Sequence, residues 1–190
     1  MTHKHSEFVD CGSLKFLLIP KNASSYTKKL LVNYPVKSTN SNGNFVVILR
    51  DPLERWLSGT VQFLISNHAR HRSQHFSFAK VCDIFFNDGD FLDAHTQPQS
   101  YFIEPIADQK IMYVFMNQNL KETLIQICSD NNISMTPSCP INVGKNNIKK
   151  KDLYMQYENI LQDPHKKSKI LSLYEKDYQL INSVDFYNIR

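Results

Sequence analysis

The sequence predicts a single α/β domain over residues 1–190, with a mainly parallel central sheet flanked by helices. Three observations carry that expectation. Largely apolar runs recur at 14–20, 45–50 and 111–116, each too short for a helix and bounded by turn chemistry. Stretches with apolar residues at helical spacing lie between and after them, the order that builds parallel strands with helical crossovers. A content of 42% hydrophobic against 21% charged residues supplies enough apolar surface for a core and excludes a disordered chain.

Each element has a local reason. "LKFLLIP" (14–20) reads as a buried strand stopped by Pro20, and the polar residues 1–13 before it read as a mobile or peripheral N-terminus. Residues 25–34 read as a helix closed by Pro35, and "VKSTNSNGN" (36–44) as a polar loop with Asn42-Gly43 as its turn. "FVVILR" (45–50) is the strongest strand signal, β-branched and apolar until Arg50. The next helix begins with Asp51 as N-cap, Pro52 at the first helical position and Glu54 three residues after the cap. Within it Leu53, Leu57, Val61 and Leu64 form an apolar stripe, and Arg55, Ser58 and Gln62 share another face. A helix over about 76–86, a strand at 111–116 and a helix at 120–130 follow. A loop with Pro137 and Pro140 leads into "GKNNIKKK", and 168–181 closes the chain as an amphipathic helix. Repeats, low-complexity tracts and an internal boundary are not visible.

A net charge of +4 favours anionic ligands without reaching the basicity of a dedicated nucleic-acid binder. No apolar run approaches the ~20 residues that span a bilayer, and the N-terminal stretch lacks the hydrophobic middle of a signal peptide. Cys11, Cys82, Cys128 and Cys139 are scattered without a CxxC pair and read as reduced thiols. The expectation is a cytoplasmic protein.

Two junctions hold the candidate chemistry. In "LLIPKNASSYTKKLL" (17–31) a strand ends at Pro20-Lys21 and passes through Ser24 and Ser25 into a helix. The serines suit helix capping. Equally, a helix N-terminus with a lysine and hydroxyls is a setting for phosphate or sulfate. The glycines of the Walker pattern are missing. In "VVILRDPLERWLSG" the strand delivers Arg50 to its C-terminal end, where open α/β sheets bind ligands, and Ser58 follows in the helix. Pairing of Arg50 with Asp51 or Glu54, and a solvated Ser58, is the plain alternative.

Taken together, "PKNASS" and "RDPLERWLS" resemble the signature of sulfotransferases that use 3′-phosphoadenosine-5′-phosphosulfate (PAPS), on their carbohydrate branch. "DAHTQPQSYFI" (93–103) and "LYEKDYQLI" (173–181) resemble two further segments of that family, so the likeness runs in order from about 14 to 181. The resemblance implies a P-loop NTPase-like three-layer sandwich that transfers a sulfuryl group from PAPS to an acceptor hydroxyl on a carbohydrate or other small molecule, releasing 3′,5′-ADP, with no metal. It implies that Lys21, Asn22, Ala23, Ser24 and Ser25 hold the 5′-phosphosulfate, with Lys21 also catalytic. Arg50 and Ser58 are the implied contacts to the 3′-phosphate, and Lys145, in a late basic loop with Asn142 and Gly144, a further one. Arginine suits bidentate grip of a phosphate that stays bound, and lysine suits a point charge beside a leaving group.

His95 is the candidate base for the acceptor hydroxyl, with Asp93, Gln97 and Gln99 orienting it or binding sugar hydroxyls. His68, His71 and His75 sit at spacings that suggest a one-face metal cluster, but the neighbouring Arg70 and Arg72 favour a solvated basic segment. The rival functions are a small nucleotide-dependent kinase of related architecture and a non-catalytic nucleotide-binding module. Golgi members of the resembled family carry a membrane anchor and lumenal disulfides; a compact chain without them suggests a microbial or viral relative. The stretches expected to select the acceptor, 66–100 and 131–148, carry no legible code.

Overall fold

A computed structural model describes residues 6–38, 42–70, 78–136 and 148–187. The chain divides into two compact units, one of residues 1–50, 99–142 and 180–190, the other of 51–98 and 143–179.

The first unit is an α/β body around a five-stranded sheet of order β3-β1-β2-β4-β5. Its strands are β1 (Glu7–Asp10), β2 (Lys15–Leu17), β3 (Val36–Ser38), β4 (Asn44–Leu49) and β5 (Lys110–Phe115). Its helices include α1 (Ser24–Leu30), α4 (Gln99–Ile103) and α5 (Leu120–Asp130). Side chains alternate across β4. Val46 and Ile48 join Tyr26, Leu30, Leu120, Leu124 and Ile127 in one cluster, whereas Phe45, Val47 and Leu49 join Phe102, Ile103 and Ile106 in another. Both faces of the central strands are therefore covered, which is why they read as unbroken apolar runs. Each fully buried aliphatic side chain contributes about 1.5–3 kcal/mol relative to exposure.

The expected mainly parallel sheet is corrected to a mixed one. β2, β4 and β5 pair in parallel, but β1 is antiparallel to both β2 and β3. The cause is the short link between β1 and β2. Gly12 takes φ 81°, its N–H donates to the Asp10 carboxylate at 3.0 Å, and Cys11 N–H donates to the Leu14 carbonyl at 2.9 Å. Such a tight turn joins only antiparallel neighbours. The expectation of a peripheral N-terminus is corrected with it: β1 lies inside the sheet, and Phe8 and Val9 are fully buried. The expected loop at 36–44 likewise begins with β3, an exposed edge strand.

The second unit is helical: α2 (Pro52–Arg70), α3 (Phe78–Asp83) running into a π-helical turn (Ile84–Asp88), α6 (Ile148–Ile160) and α7 (Pro164–Leu173), with the first residues of α8 (Glu175–Ser183). α2 starts as its sequence predicts, Glu54 N–H donating to the Asp51 carboxylate at 2.9 Å. Trp56 anchors the core, with Phe85 and Tyr157 packed edge-on at 5.5 and 5.4 Å between ring centroids. α7 opens with local capping chemistry. Pro164 takes its first position, and the Asp163 carboxylate caps the N–H groups of His165 and Lys166. The continuous helix expected over 168–181 is broken at Tyr174, which ends α7. Among the described residues no helix is long and apolar enough to cross a membrane.

Candidate functional site

In the first unit, β2 and β4 pair in parallel from Lys15–Phe45 to Leu17–Val47, so their C-terminal ends emerge at one edge of the sheet. That edge brings the 20–23 turn beside Arg50, and Arg50 Nη1 donates to the Lys21 carbonyl at 3.3 Å. Two cationic residues far apart in sequence thereby share one location. Lys21 and Ala23 both adopt left-handed backbone, φ 69° and 58°. That region costs a non-glycine residue on the order of 1 kcal/mol or more, and it persists only where neighbours enforce it. The residue between them is the enforcer. Asn22 is buried and its Nδ2 donates to the Ile48 carbonyl at 2.7 Å and to Gln99 Oε1.

Ala23, not a serine, occupies the N-cap of α1, and no side chain caps that helix. The capping role weighed for Ser24 and Ser25 is therefore corrected: Ser24 is partly exposed, Ser25 is exposed, and neither spends its hydroxyl on the cap. Ala23→Gly relieves the strain of the left-handed backbone and gives up only a partly buried methyl that packs on the core. The expected outcome is a gain of up to about 1 kcal/mol in urea-denaturation stability. A loss of that size would show the backbone there to be relaxed.

Gln99, expected to orient His95 or to bind sugar hydroxyls, is engaged by the backbone of Arg50. It is fully buried; Oε1 accepts from Arg50 N–H at 2.8 Å while Nε2 donates to the Arg50 carbonyl at 2.9 Å. The amide thus pairs with both backbone groups of Arg50 just beyond β4, as a neighbouring strand would. The Asn22 amide nitrogen is likewise engaged by the Ile48 carbonyl and the Gln99 side chain, while its Oδ1 is buried without a hydrogen-bond partner among the described residues.

The second unit carries the histidine. His95 Nδ1 lies 2.9 Å from an Asp93 carboxylate oxygen, and the other oxygen accepts from His95 N–H at 2.8 Å. Asp93 therefore orients the imidazole. A carboxylate on Nδ1 places the hydrogen there and the lone pair on Nε2, the tautomer a proton acceptor needs. The supporting turn is tied down by residues to which the sequence reading gave no role. Arg55, fully buried, donates from Nη1 to the Gln97 carbonyl and from Nη2 to the Ala94 carbonyl at 3.3 Å. Tyr174 donates its hydroxyl to the Thr96 carbonyl, and the Thr96 hydroxyl accepts from Leu92 N–H at 2.9 Å. Burial pushes the Tyr174 phenol far above the usual tyrosine range; the Arg55 charge opposes this, and those of Asp177 and Asp93 add to it. The phenol stays a donor at any physiological pH.

Ser58 is buried one turn beyond Arg55, 3.4 Å from the Tyr154 hydroxyl. The face shared by Arg55 and Ser58 is thus an interior face, against the plain reading of a solvated Ser58. The signal that pointed to it was the spacing within "RDPLERWLS"; nothing in the composition distinguished Arg55 from a surface arginine. Gln97 contributes its carbonyl to Arg55.

Lys145, Asn142 and Gly144 lie outside the described residues, as do His71 and His75. Among the described residues no group of three or more His, Cys, Asp or Glu is arranged to hold a metal. Cys11, Cys82 and Cys128 are free thiols, and burial pushes them up to about 12, 11 and 11, so all three are poor nucleophiles near neutrality. No family model, curated protein or solved structure matches the chain.

Proposed function

We propose that the chain is a PAPS-dependent sulfotransferase of P-loop-like architecture, acting on an acceptor hydroxyl of a carbohydrate or similar small molecule. The observation that carries this reading is the meeting of Lys21 and Arg50 at the ends of two parallel strands, the Arg50 guanidinium on the Lys21 carbonyl. An ion pair of Arg50 with its sequence neighbours would not require that geometry. The left-handed backbone at Lys21 and Ala23 adds to it, because strained backbone of this kind clusters at functional sites.

In this reading the cosubstrate supplies the activated sulfuryl group, and the chain supplies charge and a base. Lys21, Ser24 and Ser25 receive the 5′-phosphosulfate, Lys21 stabilising the negative charge that collects on the departing phosphate. Arg50 grips the 3′-phosphate. His95 accepts the hydroxyl proton at Nε2 as the acceptor oxygen bonds to sulfur and the bond from sulfur to the phosphate oxygen breaks. Sulfuryl transfer resembles phosphoryl transfer in needing chiefly in-line placement and charge stabilisation.

The test is calorimetry with 3′,5′-ADP, ATP and 5′-AMP, followed by a labelled-sulfate transfer assay on an acceptor panel. The expected result is a preference for 3′,5′-ADP, weakened at least tenfold in Arg50→Ala, roughly the loss of one charge-assisted contact. His95→Ala should bind 3′,5′-ADP as the parent does and lose transfer. Tighter binding of ATP overturns the reading in favour of a kinase, and full transfer by both variants overturns the residue assignment.

A further inference from the structure

We infer that Arg55 is a positioning residue for His95, fixing the turn that holds the imidazole against Asp93. The inference rests on the sulfotransferase reading for what His95 does, and on the second unit alone for how His95 is held.

A buried guanidinium is expensive. Removing its charge from water costs several kcal/mol, and that penalty is met only when good partners satisfy its N–H groups. If filling space were the whole requirement at position 55, leucine or methionine would do it without the penalty. What only the planar fork achieves is to reach two carbonyls at once. Those carbonyls belong to Ala94 and Gln97, so the guanidinium straddles the residue pair His95-Thr96.

The rest of the turn is equally committed. The Asp93 carbonyl accepts from the N–H groups of Thr96 at 3.0 Å and Gln97 at 3.1 Å, and the Thr96 carbonyl accepts from Tyr174. The His95 carbonyl lies against Gly59, where a β-carbon would come within 2.8 Å of its carbonyl carbon. Every carbonyl from Asp93 to Gln97 therefore faces a partner or a steric stop, and the imidazole projects from a turn with little backbone freedom. Pre-orientation of this kind is what a general base needs, since freezing it at the moment of reaction would cost rate. Asp93 sets the tautomer, and Arg55 keeps Asp93 and His95 in register.

The experiment reads His95 directly. With nitrogen-15-labelled histidine, and His95 assigned by the His95→Gln variant, the tautomer is recorded in the parent chain, Arg55→Lys, Arg55→Met and Tyr174→Phe. Folding is checked for each by thermal melting. The parent is expected to hold the Nδ1–H form. Arg55→Met should show a mixture with substantial Nε2–H, Arg55→Lys an intermediate mixture, and Tyr174→Phe a smaller shift in the same direction. Tyr174→Phe removes one oxygen and keeps the ring packed on Phe91, so it decides the matter if the Arg55 variants fail to fold. An unchanged tautomer in any folded Arg55 variant, or in Tyr174→Phe when it alone folds, overturns the inference. In the transfer assay the same variants should lose about 100-fold in kcat, the scale of an ångström-size misplacement, while 3′,5′-ADP affinity stays within twofold. A parent chain that transfers no sulfate to any acceptor removes the sulfotransferase reading, while the tautomer result still stands or falls by itself.

Discussion

Gln99→Leu is expected to destabilise the chain by about 3–5 kcal/mol, a large share of the ~5–15 kcal/mol that holds a typical domain together. The side chain is matched in size but removes an acceptor from Arg50 N–H and from Asn22, and a donor from the Arg50 carbonyl. All three groups that lose a partner lie at or near the end of β4, in contacts that are buried or partly buried. Each costs roughly 1–3 kcal/mol when left unpaired, and partial relaxation keeps the sum below the maximum. The measurement is the urea midpoint and slope, with the slope unchanged if the folded state is otherwise intact. At a temperature where the variant remains folded, its affinity for 3′,5′-ADP should fall at least tenfold, because the backbone that aims Arg50 has lost its clasp. A destabilisation below about 1 kcal/mol would mean that Gln99 is not the partner of Arg50 in solution.

Gln99 also shows where sequence reading reaches its limit. The strands β4 and β5 and the helix α5 were legible because their burial is written as apolar periodicity. The start of α2 was legible because capping chemistry is local: Asp51, Pro52 and Glu54 are contiguous with the helix they open. β1 was not, since only Phe8 and Val9 mark it and its partners β2 and β3 are set by the sheet rather than by its own residues. α6 was not, because its sequence is strongly polar and its buried Tyr157 stands without an apolar stripe around it. The candidate site divides along the same line. Lys21, Arg50, Asp93 and His95 were named from residue type and motif spacing. Asn22 and Gln99 were named too, without the backbone contacts the fold gives them, and Arg55, Gly59, Thr96 and Tyr174 received no role. Buried polar residues that serve a backbone look like surface residues in sequence, because what distinguishes them is a carbonyl tens of positions away. Arg55 with Ala94 and Gln97, or Tyr174 with Thr96, are contacts of that kind.

Gly59→Ala is the sharpest test of the His95 turn, because two effects of opposite sign compete. Gly59 lies inside α2, where replacing glycine by alanine ordinarily gains about 1 kcal/mol of helix propensity. A β-carbon at this position, however, would fall 2.8 Å from the His95 carbonyl carbon, closer still to its oxygen, and 3.3 Å from the Thr96 methyl group. The obstacle is backbone, and it is held in place by Arg55 and Tyr174, so it cannot swing away as a flexible side chain would. The clash should outweigh propensity and leave the variant about 1–3 kcal/mol less stable, the usual cost of overpacking. Transfer activity should fall about 100-fold or more, since displacing the turn carries the imidazole away from the geometry Asp93 gives it. Thermal melting and the tautomer of His95 read the two consequences separately. Should Gly59→Ala prove more stable than the parent and keep the Nδ1–H form, propensity has won, and the close packing of α2 on the 93–98 turn is not how this protein positions its histidine.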